Sequence, residues 1–308
     1  MKSHKKVKVK RSFRRYTERC MDNRVGFVIL HYGDMTTTDN CVQSILRMVG
    51  WEQTLIVIVD NEVQRSAEER ESTRRHFETQ SNIIVLKNDG KGGFSEANNL
   101  GYTYARDEGC GFILMLNNDI VFPQKDFLQI LACEYQKKKC YVLAPDIVKA
   151  HTQEHQNPLD TRIRTEKEAM HTIRLNRAAL ALFPLSYPYL RRWDRRETER
   201  CTIQKKQTEP CENIVPFGAC LILTPAFVAE QKKAFQPETM FFYEEYILAL
   251  RCQRLGYLIR YVPQLKALHE SGAATRHTYH TSISQMKFRL ERTRDAAEVY
   301  LQYLRSGR

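Results

Sequence analysis

The stretch Gly111-Phe112-Ile113-Leu114-Met115-Leu116 is apolar throughout and stops abruptly at Asn117-Asn118-Asp119, before apolar residues resume with Ile120-Val121-Phe122. A run of this length bounded by turn residues reads as a strand buried on both faces. Such strands belong to parallel sheets covered by helices, and in these sheets ligands bind beyond the carboxyl ends of the strands. Two amides and a carboxylate therefore stand where a ligand goes, with oxygens suited to a hard divalent cation. An ordinary turn competes with that reading, because Asn and Asp are common turn residues.

Three earlier stretches repeat the pattern. Val25–Leu30 runs into His31-Tyr32-Gly33-Asp34, Leu55–Val59 into Asp60-Asn61, and Ile83–Leu86 into Asn88-Asp89-Gly90-Lys91-Gly92-Gly93-Phe94. Between them lie helical spacings over Thr38–Val49, Ser66–Gln80 and Ser95–Glu108. Strands alternating with helices imply βαβ units and a doubly wound parallel sheet, and right-handed crossovers place helices on both faces. One sheet edge then carries His31, Asp60, the Gly90–Gly93 loop and Asp119, an arrangement that suits a nucleotide. The loop has neither G-x-G-x-x-G nor the spacing of G-x-x-x-x-G-K-[ST], which argues against a dinucleotide fold and a P-loop.

At 308 residues, 42% hydrophobic and 27% charged, the chain has the composition of a globular α/β protein. It contains no apolar run of the roughly 18–20 residues that a transmembrane helix needs, and its N-terminus lacks the apolar core of a signal peptide. Nine cysteines stand singly without a C-x-x-C pair, which argues against a zinc site or a disulfide framework. A cytoplasmic location is the simplest expectation.

The net charge of +12 concentrates in residues 1–19 and between Arg162 and Lys206. Such runs suit nucleic acid or an anionic membrane surface, although a solvated tail serves equally for residues 1–19. Residues 150–212 read as a basic insertion interrupted by the apolar patch Ala178–Leu190, which holds Phe183, Tyr187 and Tyr189. That patch is expected to pack as a small satellite core, with a membrane interface as the alternative. Further strands are expected at Tyr141–Pro145, Gly218–Leu223 and Tyr257–Pro263. A C-terminal helix is expected over Ser284–Arg305, its apolar face packed on the core or on a second copy of the chain.

Phe241-Phe242-Tyr243-Glu244-Glu245 opens another helix with adjacent carboxylates. The helix dipole favours acids in a first turn, which accounts for one of them. The three preceding aromatics would desolvate a carboxylate and raise its pKa toward that of a general base. His269, after the last strand, would ligate a metal or neutralise a phosphate, though a lone histidine more often does neither.

Taken in order, these motifs resemble the family 2 glycosyltransferases of the GT-A fold, in particular the rhamnosyltransferase-like branch that builds bacterial cell-surface polysaccharides such as capsule and lipopolysaccharide. The residues that carry the resemblance are His31-Tyr32-Gly33, Val59-Asp60-Asn61, Gly93-Phe94-Ser95 with Asn98-Asn99 and Gly101, Asn117-Asn118-Asp119, Glu244-Glu245, and His269 with Gly272 and Ala274-Thr275. They cover roughly residues 25–123 and 213–277. The resemblance implies an α/β fold of GT-A type, with a Rossmann-like, mostly parallel central sheet, helices on both faces, a basic insertion and a C-terminal helix. It divides the chain into a basic tail (1–22), a transferase domain (23–280) and a C-terminal helix (281–308). Within the domain, a donor-binding half spans about 25–123, the insertion about 150–212 and an acceptor half about 213–280.

The same resemblance implies an inverting, metal-dependent transfer from a UDP- or dTDP-sugar to a hydroxyl of a lipid-linked glycan. The enzyme would work in the cytoplasm, peripheral on the inner face of the plasma membrane, against an anionic membrane surface and with no nucleic-acid partner; a homodimer is allowed. His31, Tyr32, Asp60, Asn61, Gly93, Phe94, Asn98 and Asn118 would line the donor site. Asp119, with Asn117 and His269, would hold Mg2+ or Mn2+. Glu245, with Glu244 beside it, would be the base. Three departures stand out: His31 replaces an Asn or Thr, the metal motif has a single carboxylate, and Tyr246 and Leu248 interrupt the usual Glu-Asp-Val-Asp pattern. A sugar-phosphate nucleotidyltransferase would need a glycine-rich basic loop that His31–Asp34 does not supply. A nucleic-acid-binding protein would need a recognition element that the basic tail and insertion do not form. A catalytically silent homologue fits poorly with the presence of Asp119 and Glu245.

Overall fold

The computed structural model describes residues 24–62, 65–88, 93–183, 185–192, 207–236, 238–270 and 282–307. The basic tail, Gly90–Gly92, residues 193–206 and Gly272–Thr275 lie outside them. Strands β1 (Arg24–His31), β2 (Thr54–Asp60), β3 (Ile83–Lys87) and β4 (Cys110–Asn117) form a parallel half-sheet in the order β3-β2-β1-β4. Helices α1 (Met35–Leu46), α2 (Ala67–Phe77) and α3 (Gly93–Asp107) connect them.

The alternation along β1 builds two cores. Val25, Phe27 and Ile29 join Cys41 and Ile45 of α1 on one face, whereas Val28 and Leu30 join Ala97, Tyr102 and Ala105 of α3 on the other. This is the period-2 geometry of a strand covered on both sides. Helix α3 comes very close to the sheet at Gly101, where an added Cβ would lie 2.3 Å from Val28 Cγ1 and 2.8 Å from Val59 Cγ2. Local signals set the helix starts: Asp34 caps α1 by accepting from Thr36 N–H, and Ser66 and Glu69 form a capping box on α2.

Beyond β4 the sheet becomes mixed, which the doubly wound reading does not anticipate. After β5 (Ile120–Val121) and α4 (Phe127–Lys137) come β6 (Val142–Lys149), α5 (Glu166–Ala181), β7 (Cys211–Glu212), β8 (Cys220–Leu223), α6 (Pro225–Glu230), α7 (Glu244–Leu255), β9 (Ile259–His269) and α8 (Ser282–Ser306). Strand β8 runs antiparallel to both β4 and β6, β6 runs parallel to β9, and β5 and β7 pair antiparallel with β9. A continuous apolar run reports burial but not direction, so only the pairing shows this reversal. Most paired residues nevertheless lie in parallel ladders, so the α/β fold with a mostly parallel sheet and helices on both faces stands.

Strand β9 is longer than the expected Tyr257–Pro263. Val262 pairs with Pro145 and Lys266 with Asp146, so Pro263–Leu265 form an irregularity that accommodates a residue without an N–H. The patch at Ala178–Leu190 meets a second expectation only in part: Phe183 and Tyr187 are half-buried with ring centres 5.9 Å apart, but the rest is not a core. Only Ala169 and Ile173 of α5 are buried, whereas Leu182, Leu185 and Tyr189 are exposed. Helix α5 packs on α8, and no other described element covers Leu182, Leu185 and Tyr189. The described cysteines are free, and among the described residues no helix is long and apolar enough to cross a membrane.

Candidate active site

The parallel ladders bring the expected edge together. His31 pairs with Asp60, Asp60 with Lys87, and Leu30 with Asn117, so these strands end level. Asp60 is buried, its Oδ1 accepting from Glu62 N–H at 3.2 Å and its Oδ2 lying 3.5 Å from Arg70 Nη1. Asn61 Oδ1 accepts from Asn88 Nδ2 at 2.6 Å.

His31 is fully buried. Arg65 Nη1 donates to its Nε2 at 3.0 Å, so the ring proton sits on Nδ1, which donates to Thr38 Oγ1 at 2.6 Å. Asn118 Nδ2 donates to Tyr32 O and to Thr38 Oγ1, each at 3.0 Å. The side chains of His31 and Asn118 are thus occupied within the protein and shape the Tyr32–Gly33 turn from behind. Arg65 completes this support by donating to Gly33 O at 2.8 Å.

Burial, followed by the Arg65 charge, lowers the His31 pKa from 6.5 to about 4. The unfolded chain therefore takes up a proton that the folded chain refuses. The His31 contribution is complete above pH 6.5 and is lost as pH falls toward 4, amounting to about 3 kcal/mol. Urea titrations across that interval should show a shallower acid-side decline for His31→Gln than for the wild type. Equal slopes would mean that His31 is not held neutral.

Beyond β4, Asp119 is 4% exposed, and its Oδ1 has no hydrogen-bond partner although it lies 3.2 Å from His269 Nε2. The antiparallel pairing of Ile120 with His269 makes this approach. Nδ1 of His269 meets Gln156 Oε1 at 2.7 Å, and because that oxygen accepts only, the proton sits on Nδ1. In its neutral form the ring would turn the Nε2 lone pair toward a carboxylate oxygen. Two acceptors facing each other in a buried space call for a proton or a cation between them, and an outer partner such as Gln156 is what orients a metal-binding histidine. Asn117 ends β4, its N–H bonded to Ala219 O at 3.0 Å. Among the described residues no group of three or more His, Cys, Asp or Glu could hold a metal, so Asp119 and His269 do not make a metal site by themselves.

The carboxylates Glu244 and Glu245 open α7 from a strained turn. Phe242 (φ 73°) and Tyr243 (φ 65°) are both left-handed, a conformation that costs non-glycine residues about 1–3 kcal/mol each and clusters at functional sites. Contacts with α3 hold the turn. Phe94 N–H donates to Met240 O at 2.9 Å, and Asn99 clamps Phe235 by donating to its carbonyl at 2.8 Å and accepting from its N–H at 2.9 Å. Gly93 sits at φ +68°, where a Cβ would lie 2.6 Å from Met240 O, so a side chain there would push the turn away. Ser95 Oγ meets Thr239 Oγ1 at 3.2 Å. Asn98 is buried, with its Nδ2 on Phe94 O at 3.0 Å and its Oδ1 without a partner.

Glu244 is 5% exposed and its Oε1 has no hydrogen-bond partner. Burial, then the charge of Glu245, pushes its pKa up. Burial also raises Glu245, but the Gly218 N–H and the Arg164 charge oppose the rise. Glu245, the less buried of the two, is the one whose ionised form is favoured by a backbone N–H and by a nearby guanidinium.

Three consecutive residues tie these parts together. The Phe217 ring lies 5.9 Å from the His269 ring, Gly218 N–H donates to Glu245 Oε1 at 3.1 Å, and Ala219 O takes the Asn117 N–H. Asn157 secures the segment by accepting from Phe217 N–H at 2.7 Å and donating to Pro145 O at 2.7 Å. Arg164 closes the side next to Glu245: its Nη1 donates to Tyr243 OH at 2.7 Å and its guanidinium lies 4.5 Å from the Tyr246 ring centre.

Sequence reasoning missed Gly218, Arg164, Arg65 and Arg70. For Gly218 a usable signal existed, a lone glycine opening an apolar strand, which marks close backbone approach. A Cβ at Gly218 would fall 2.5 Å from Glu245 Oε1. That atom ends a flexible side chain, so Gly218→Ala should fold normally while displacing the carboxylate. Misplacement of about 1 Å costs roughly 100-fold in rate. The expected result is a kcat lowered by about that factor at unchanged donor KM, and full activity in the variant would remove the positioning role.

Comparison with known proteins identifies the family and the fold. A family model described as Glycosyl transferase family 2 matches residues 27–197, more than half of the chain. No curated protein matches. The fold is similar to the crystal structure of GalNAc-T7 with UDP, GalNAc and Mn2+, at TM-score 0.55 and 12% identity over 92% of this chain and 56% of that one. It is also similar to S. aureus TarS 1-349, at TM-score 0.50 and 11% identity over 92% of this chain and 72% of that one. A second S. aureus TarS structure aligns at TM-score 0.51 and 11% identity over 80% of this chain and 37% of that one. The chain spans little more than half the length of the GalNAc-T7 chain, and at such identities the likeness is one of fold.

Proposed function

Because the chain belongs to glycosyl transferase family 2, we propose that this glycosyltransferase is metal-dependent and inverting, and that it moves a sugar from a UDP- or dTDP-linked donor to a hydroxyl of a growing lipid-linked glycan. The observation that carries the reading is the juxtaposition made by Phe217-Gly218-Ala219. The segment contacts the unsatisfied Asp119–His269 pair through Phe217 and the carboxylate of Glu245 through Gly218. On this reading one arrangement would supply a cation site and a base, the two groups that metal-dependent sugar transfer from a nucleoside diphosphate uses.

Asp60 and the Tyr32–Gly33 turn, braced by His31 and Asn118, would take the base of the nucleotide. Asn61, Gly93, Phe94 and Asn98 would line the donor, with the unpartnered Asn98 Oδ1 available to a hydroxyl or amide donor. Asp119 and His269 would hold Mg2+ or Mn2+, with Asn117 beside them and donor phosphate oxygens completing the ligand set. A cation bound there would stabilise the charge that grows on the departing diphosphate. Glu245 would take the proton of the acceptor hydroxyl as its oxygen bonds to the anomeric carbon and the bond to the diphosphate breaks, which inverts that carbon. Glu244, favoured in its protonated form, leaves the base role to its neighbour.

Mn2+ and UDP in the GalNAc-T7 structure support the cation and the nucleotide. The rhamnosyltransferase-like branch, a lipid-linked acceptor, a role in capsule or lipopolysaccharide and a place at the inner membrane face are proposed on the motif resemblance. Release of nucleoside diphosphate from a panel of UDP- and dTDP-sugars tests the reading, with Mn2+, with Mg2+ and with a chelator. Release from at least one donor, abolished by the chelator, is expected. Release from none, whatever the cation, would contradict it.

A further inference from the structure

The arm that leaves the catalytic wall at Arg164 ends in apolar side chains that no other described element covers. Leu175 is 55% exposed, Leu182 58%, Leu185 79% and Tyr189 74%. The turn after α5 is built rather than frayed: Leu185 N–H and Ser186 N–H donate to Leu182 O at 2.9 and 2.8 Å, and the Ser186 hydroxyl donates to Ala179 O at 2.8 Å. Residues 185–192 continue as helix, and Leu185 and Tyr189, four apart, share one face of it. From Ala169 to Arg192 the chain has no Asp or Glu but carries Arg174, Arg177, Arg191 and Arg192. Of these, Arg177 is paired with Glu298 at 2.8 Å, while Arg174, Arg191 and Arg192 are exposed.

We propose that this arm docks the enzyme on an anionic lipid surface. Exposed leucines and a tyrosine, flanked by arginines and free of carboxylates, match what partitions into a bilayer interface, where aromatic rings sit at headgroup level and cations meet anionic lipids. Charge decides against a second copy of the chain as the occupant, because pairing two arms would set arginines against arginines. The inference goes beyond the transfer reading. It adds an anchoring surface at the far end of α5, the helix that Arg164 precedes.

Vesicle flotation of the full chain tests this without donor or acceptor, so its outcome is independent of the catalytic assignment. The vesicles are an equal mixture of phosphatidylcholine and phosphatidylglycerol, compared with phosphatidylcholine alone at low and high salt. Wild type should float with the anionic vesicles only, and less at high salt. Leu185→Ser/Tyr189→Ser and Arg191→Gln/Arg192→Gln should each weaken binding by about tenfold or more, with unchanged melting temperatures because these side chains are exposed. Wild type that fails to float, or variants that float as well as wild type, would overturn the proposal. So would sedimentation showing that the same substitutions dissolve a dimer that never binds vesicles.

Discussion

Glutamine in place of Glu245 is expected to slow sugar transfer by about 10²–10⁴-fold, the usual contribution of a positioned general base, while donor affinity stays unchanged. Glutamine keeps the shape and can still accept the Gly218 N–H through its carbonyl oxygen, so the turn and helix α7 stay in place. What it loses is the ability to take a proton. The fold should not suffer, since the substitution keeps the size of the side chain and removes a carboxylate whose ionisation burial disfavours. In the wild type, burial sets the Glu245 pKa above the ordinary carboxylate value. Transfer should therefore rise with pH through that raised pKa as the base loses its proton, and the variant should lack that limb. Single-turnover transfer and donor titration on the same protein separate the two effects. Normal transfer by Glu245→Gln would remove Glu245 from the base role.

The first half of the fold was legible because strands buried on both faces are written as continuous apolar runs, and each run here ends in polar residues that the parallel ladders then align. His31, Asp60 and Asn117 fall level for that reason. Strand direction beyond β4 was not legible, because Cys220–Leu223 would look the same running either way. The depth of His31 was equally hidden: its partners Thr38 and Arg65 reach it from other elements, so a residue at a ligand-facing position became a support beneath one. Asp119 and His269 could each be marked singly, but only the short antiparallel pairing of β5 with β9 shows that they meet. Gly218 was legible only in part: a glycine opening an apolar strand signals a close approach but not what approaches. Its importance is the absence of a Cβ beside Glu245, and a missing atom matters only once the neighbour's place is known. The Leu182–Tyr189 patch has amphipathic spacing, and spacing cannot say whether an apolar face finds a covering layer.

Alanine in place of Asp119 is expected to abolish cation-dependent donor binding. The carboxylate is buried with an unsatisfied oxygen facing His269, so its removal relieves an unpaired polar group and should not lower the melting temperature. The loss should appear in binding, at about 100-fold or more, since even the outer partners of metal ligands are worth 10–100-fold. His269→Ala should act in the same direction. Gln156→Ala should have a smaller effect, because it frees the ring to rotate without removing the nitrogen.

The most direct test sets the two halves of the site against each other in one calorimetric experiment. UDP and dTDP are titrated with Mn2+ into wild type, Glu245→Gln and Asp119→Ala, and repeated with chelator. Wild-type-like, Mn2+-dependent binding of at least one nucleotide is expected in Glu245→Gln, with no such binding in Asp119→Ala. Equal binding by the two variants, or binding that ignores the cation, would contradict a site in which Asp119 and His269 hold the donor's metal while Glu245 waits for the acceptor.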